Sequence, residues 1–100
     1  MKRFPAALEA LRDRVPCPFP LRVSRRKLKD GLQGYCKISK ISPLSISVVV
    51  DKKLSDTMQA DVLIHEWAHA LLAAHLDEFY THGPLWGVMY ARCYNAVYPD

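Results

Sequence analysis

Asp56-Thr57-Met58-Gln59-Ala60-Asp61-Val62-Leu63-Ile64-His65-Glu66-Trp67-Ala68-His69-Ala70-Leu71-Leu72-Ala73-Ala74-His75 is the stretch from which the fold is read. Val62, Leu63, His69, Leu72, Ala73 and then Leu76 recur at helical spacing, and Asp56 followed by Gln59 resembles a capping box. A helix is therefore predicted over residues 56–75. His65 and His69 stand four positions apart. At about 100° per residue they lie within roughly 40° of each other, so both imidazoles project from one face and can reach one zinc ion at about 2.0–2.1 Å. Glu66 is displaced around the helix from the first histidine, where it can face a metal-bound water without being a ligand. This is the H-E-x-x-H arrangement, in which the glutamate acts as general base.

On the C-terminal side, Gly83-Pro84 opens a last helix with Pro84 at its first position, and Leu85, Val88, Met89, Cys93, Ala96 and Val97 supply its buried stripe. On the N-terminal side, residues 5–14 read as a helix started by Pro5 and striped by Ala6, Ala7, Leu8, Ala10 and Leu11. Pro16, Pro18 and Pro20 then force extended chain, and Phe19, Leu21 and Val23 alternate with polar or imino residues as in a half-buried strand. A basic connection closes on the turn signal Asp30-Gly31. Tyr35 with residues 38–41 suggests a second strand, Ser42-Pro43 a break, and residues 44–51 a third strand, the short gap implying an antiparallel hairpin. The fold class expected is α+β: an N-terminal helix, a three-stranded mainly antiparallel sheet, an active-site helix and a C-terminal helix, in one domain over residues 1–100.

Half the 100 residues are apolar and 24% charged, which is ordinary for a globular chain. No apolar run approaches the roughly 18 residues of a membrane span, and Glu9, Arg12, Asp13 and Arg14 interrupt any signal-peptide core. Cys17, Cys36 and Cys93 are odd in number and far apart, without a C-x-x-C pair, so they read as separate thiols of a reduced compartment. A cytoplasmic location is expected. Residues 1–53 hold 13 Lys/Arg against 4 Asp/Glu, a net of +9, and residues 54–100 hold 1 against 6, a net of −5. The basic half, with Arg22, Arg25, Arg26, Lys27, Lys29, Lys52 and Lys53 clustered, permits contact with DNA; the plainer role is a solvated face balancing an acidic helical half.

Two histidines do not complete a catalytic zinc site, which usually takes three protein ligands and a water. His75 would give metzincin-like spacing, but Leu72 stands where the helix-ending glycine should be, and on a continuing helix His75 points away. Glu78 follows His69 too closely to come from a following helix. His82, at the turn into the last helix, leaves the chain room to fold back. Tyr80 and Tyr90 are candidates to stabilise an oxyanion, although packing is the plainer role of each.

His65-Glu66-x-x-His69 followed by His82-Gly83-Pro84-Leu85-Trp86 resembles the SprT-like zinc metallopeptidases over residues 61–90. The resemblance implies one zinc ion held by His65, His69 and His82, with Glu66 as catalytic base and Trp86 packed beneath the site. It also implies an exposed edge strand that binds substrate by strand addition, for which residues 44–50 are the candidate. The chain carries no Cys-rich zinc ribbon, and so looks like a minimal, minigluzincin-like catalytic core. The function expected is a zinc metalloendopeptidase acting on protein or peptide substrates, DNA-associated proteins among them. The alternative is a zinc-containing or inactive binding module for DNA or protein on the same fold.

Overall fold

Val48, Val49 and Val50 are all buried, which places their strand where both faces and both edges are covered. The computed structural model describes residues 3–39 and 44–99. In chain order it holds α1 (Arg3–Arg14), β1 (Leu21–Arg26), β2 (Gly34–Ser39), β3 (Ser45–Asp51), α2 (Asp56–Ala70) and α3 (Pro84–Val97). The sheet order is β1-β3-β2. β2 and β3 form the expected antiparallel pair, from Gly34 opposite Val50 to Ser39 opposite Ser45. β1 joins the other side of β3 in parallel, from Leu21 beside Ile46 to Arg26 beside Asp51. The α+β class and the order of elements are those expected, with the sheet mixed in direction.

The central place of β3 corrects one expectation: residues 44–50 do not supply an edge strand, because the chain returns from β2 into the gap beside β1. The edges are β1 and β2. The predicted end of the second strand, Lys40 and Ile41, and the Ser42-Pro43 break lie outside the described residues. β1 begins and ends later than its apolar alternation suggests, because polar side chains anchor its end. Arg25 lies 4.4 Å from the centroid of the Phe4 ring and donates to Gln59 Oε1 at 3.1 Å, and Arg26 donates to the Tyr35 hydroxyl at 2.6 Å.

Phe4, Ala7 and Leu11 form the buried stripe of α1 and pack it against α2. The first backbone N–H groups of α1, those of Arg3 and Phe4, donate to the Asp56 carboxylate. Asp56 thus neutralises the start of another helix rather than capping its own. The cap of α2 is Ser55, whose Oγ accepts the Met58 N–H at 3.2 Å, and the Gln59 amide turns back to the Lys52 and Leu54 carbonyls. α2 touches α1, α3, β2 and β3, and Trp67 ties it to the end of α1 by donating Nε1–H to the Val15 carbonyl at 2.8 Å.

α2 stops at Ala70, five residues short of the prediction. From there the amides of Leu72, Ala73 and His75 reach back three residues instead of four, tightening the chain into successive turns. Leu72 and Ala73 remain buried in those turns, so the apolar periodicity outlasts the helix. α3 starts as predicted, with Gly83 as its cap and Pro84 first. Cys93 and Ala96 are buried, but Val88 is 56% exposed and lies off the buried stripe. Among the described residues, no helix is long and apolar enough to cross a membrane.

Candidate metal centre

His65 and His69 lie one helical turn apart on α2, and the turns after Ala70 bring His82 back to meet them. The Nε2 atoms of His69 and His82 are 3.1 Å apart, as are those of His82 and His65. Four ligands at about 2.0–2.1 Å around a tetrahedral ion are separated by about 3.3–3.4 Å, so these spacings are close to the edges of a coordination tetrahedron. The three histidines lie close enough to bind one metal ion. Among the described residues this group has three members, one short of a closed four-ligand site.

The donor set is also prepared chemically. His69 Nδ1 is 2.6 Å from the Phe79 carbonyl oxygen. A carbonyl only accepts, so the ring proton sits on Nδ1 and Nε2 presents a lone pair towards the cluster. Burial lowers the pKa of both His65 and His69 and neighbouring histidines push the same way, together outweighing at His69 the upward pull of its hydrogen bond to the Phe79 carbonyl. Neutral imidazole, the ligating form, is thereby favoured at both.

Trp86 packs its ring against all three, with centroids 4.9 Å from His65, 5.6 Å from His69 and 4.8 Å from His82. Its own Nε1–H is buried without a hydrogen-bond partner among the described residues. His75 is exposed and outside the group, and Glu78 accepts the Thr81 hydroxyl instead. Cys93 is fully buried on α3, its thiol pushed up to about 12 by burial, and it does not join the cluster.

Glu66 points into a cleft of about 530 Å³ that His65, Trp86 and Tyr90 also line. It is 9% exposed, and burial raises its pKa to about 7. The opposite wall is residues 31–34, ending on the first residue of β2. Gly34 is needed there for space. A Cβ on it would stand 2.5 Å from Val62 Cγ1, 2.9 Å from the Val49 carbonyl oxygen and 3.7 Å from Glu66 Cγ. The missing side chain lets the edge strand lie directly against the helical turn that carries Glu66.

Of the two tyrosines considered from sequence, Tyr90 lines the cleft and stacks on Trp86 with centroids 5.0 Å apart, whereas Tyr80 is 68% exposed and packs on Phe79. Within the basic cluster, Arg25, Arg26 and Lys53 are engaged locally, the last with the Leu28 carbonyl and Asp51. Arg22, Lys27, Lys29 and Lys52 are exposed. Sequence reasoning missed the Phe79 carbonyl, which no side chain signals, and Gly34, which a glycine opening a strand could have flagged. It also missed Asp61, which lines the cleft one turn before His65. Comparison of the chain with family models, curated proteins and solved structures finds no match in any of the three.

Proposed function

We propose that this chain is a zinc-dependent metalloendopeptidase, a small catalytic core resembling the SprT-like metallopeptidases. The observation that carries the proposal is the convergence of the His65, His69 and His82 Nε2 atoms beside a cleft that Glu66 also lines. Imidazole nitrogens suit zinc, and three protein ligands are the usual complement of a catalytic site. Zinc held there would lower the pKa of a coordinated water toward about 7 and polarise a carbonyl oxygen. Glu66 is the general base: its carboxylate accepts the proton of the attacking water and passes a proton to the leaving amine. Phe79 keeps the His69 ring oriented through Nδ1–H.

An extended peptide would lie along β2, the sheet edge whose first residue borders the cleft, and add to it as a further strand. The exposed Arg22, Lys27, Lys29 and Lys52 add a surface that attracts phosphate, so DNA-associated proteins are among the substrates proposed. The test is hydrolysis of an unfolded protein such as casein by the zinc-loaded chain and by Glu66→Gln. The variant should keep its zinc and lose at least about hundredfold in rate, the usual scale of a general base. Equal rates would remove Glu66 from the mechanism. A wild-type chain that binds zinc but cleaves nothing would be a binding module.

A further inference from the structure

Among the described residues, the cleft beside the three histidines is lined by two carboxylates, Asp61 and Glu66, and by no lysine or arginine. Glu66 is committed to the site. Asp61 has no part in the chemistry described above. It precedes His65 by four residues on α2, about 6 Å along the axis and on nearly the same face. An extended peptide advances about 3.3 Å per residue, so a side chain one or two residues from the scissile bond comes level with it.

Asp61 Oδ1 accepts the Tyr98 hydroxyl at 3.1 Å, and a carboxylate has acceptor capacity for further donors. Among the described residues no lysine or arginine forms a salt bridge with Asp61; Arg3 lies over the ring of Tyr98, 5.9 Å from its centroid. The approach to it is apolar. Leu32 and Met58 are 47% and 39% exposed, and both line this cleft with the buried Val62. Such a wall suits the methylene stem of a long side chain whose charged end reaches a carboxylate.

We propose that this end of the cleft is a subsite for a lysine or arginine side chain, with Asp61 binding the cation and Leu32, Met58 and Val62 packing its stem. The proposal rests on the peptidase reading only in taking the ligand to be a peptide. The chain would thus select basic segments, binding them through its acidic half.

The test is binding, measured by fluorescence anisotropy on the full zinc-loaded chain carrying Glu66→Gln, so that nothing is cut. The probes are three dye-labelled eight-residue alanine-glycine peptides with a central lysine, norleucine or glutamate. The lysine peptide should bind about tenfold more tightly than norleucine, and glutamate most weakly. Adding Asp61→Asn, which still accepts the Tyr98 hydroxyl, should bring lysine to within about twofold of norleucine while leaving norleucine unchanged. Equal affinity for lysine and norleucine, a preference that survives Asp61→Asn, or no binding of the lysine peptide at 1 mM would each overturn the subsite. If the preference follows Asp61 but the unsubstituted chain cleaves no peptide, the subsite stands and the peptidase reading fails. Cleavage without any such preference gives the reverse.

Discussion

Replacing Gly34 by alanine puts a methyl group where the structure has no room. The new Cβ would meet Val62 Cγ1 at 2.5 Å and the Val49 carbonyl oxygen at 2.9 Å, where ordinary contact begins near 3.4 Å. Gly34 is not at a positive φ, so the effect is steric rather than conformational. Val62 is β-branched on a helix and has little rotamer freedom, and the Val49 oxygen belongs to the central strand, so neither yields easily. The start of β2 must move by about 1 Å, and overpacking of this kind costs about 1–3 kcal/mol. Urea denaturation of Gly34→Ala, Val62→Ala and the double variant checks the origin of the loss. Val62→Ala alone should cost about 1.5–2 kcal/mol for two buried methyl groups, and the double variant should recover at least about 1 kcal/mol relative to the sum. Recovery stays incomplete because the Val49 contact persists. If zinc peptidase activity is present, Gly34→Ala should also lower it by up to about hundredfold at unchanged zinc content, since a shift of about 1 Å moves the strand off Glu66. A Gly34→Ala protein within 0.5 kcal/mol of wild type, or an additive cycle, would refute the reasoning.

Three further outcomes follow from the same geometry. His82→Ala should weaken zinc binding at least about hundredfold in competition with a chromogenic chelator, while His75→Ala stays within about twofold of wild type. Burial raises the Glu66 pKa from 4.5 to about 7, so in the metal-free chain the charged carboxylate opposes folding. The penalty is absent below about pH 4.5, grows as pH rises towards 7 and is full above it. Glu66→Gln should therefore stabilise the metal-free chain by up to about 3 kcal/mol at pH 8 and by almost nothing at pH 4, read from urea midpoints in EDTA. Trp67→Phe removes the donor to the buried Val15 carbonyl and should cost about 1–3 kcal/mol, visible as a lower Tm.

His65, Glu66 and His69 were legible in the sequence because a helix converts spacing into direction, and residues 56–70 are helical as predicted. His82 was legible through Gly83-Pro84, which fixes where α3 starts and so where the chain turns back. The end of α2 was not, because Leu72 and Ala73 are buried equally well in three-residue turns, and apolar periodicity reports burial rather than hydrogen-bond pattern. The central position of β3 was hidden for a related reason. The hairpin with β2 is local and its short loop predicts it, whereas pairing with β1 joins segments about 25 residues apart. The supports of the site are likewise long-range or backbone: the Phe79 carbonyl behind His69, and the missing Cβ of Gly34 beside Val62 and Glu66.

X-ray absorption at the zinc edge on the stoichiometrically loaded chain tests the three-histidine centre most directly. The proposed function predicts one zinc per chain, three imidazole nitrogens at about 2.0–2.1 Å and one oxygen from solvent, with no sulfur bound to the metal. A zinc–sulfur distance near 2.3 Å, a fourth protein nitrogen, or failure to retain one equivalent of zinc would contradict it.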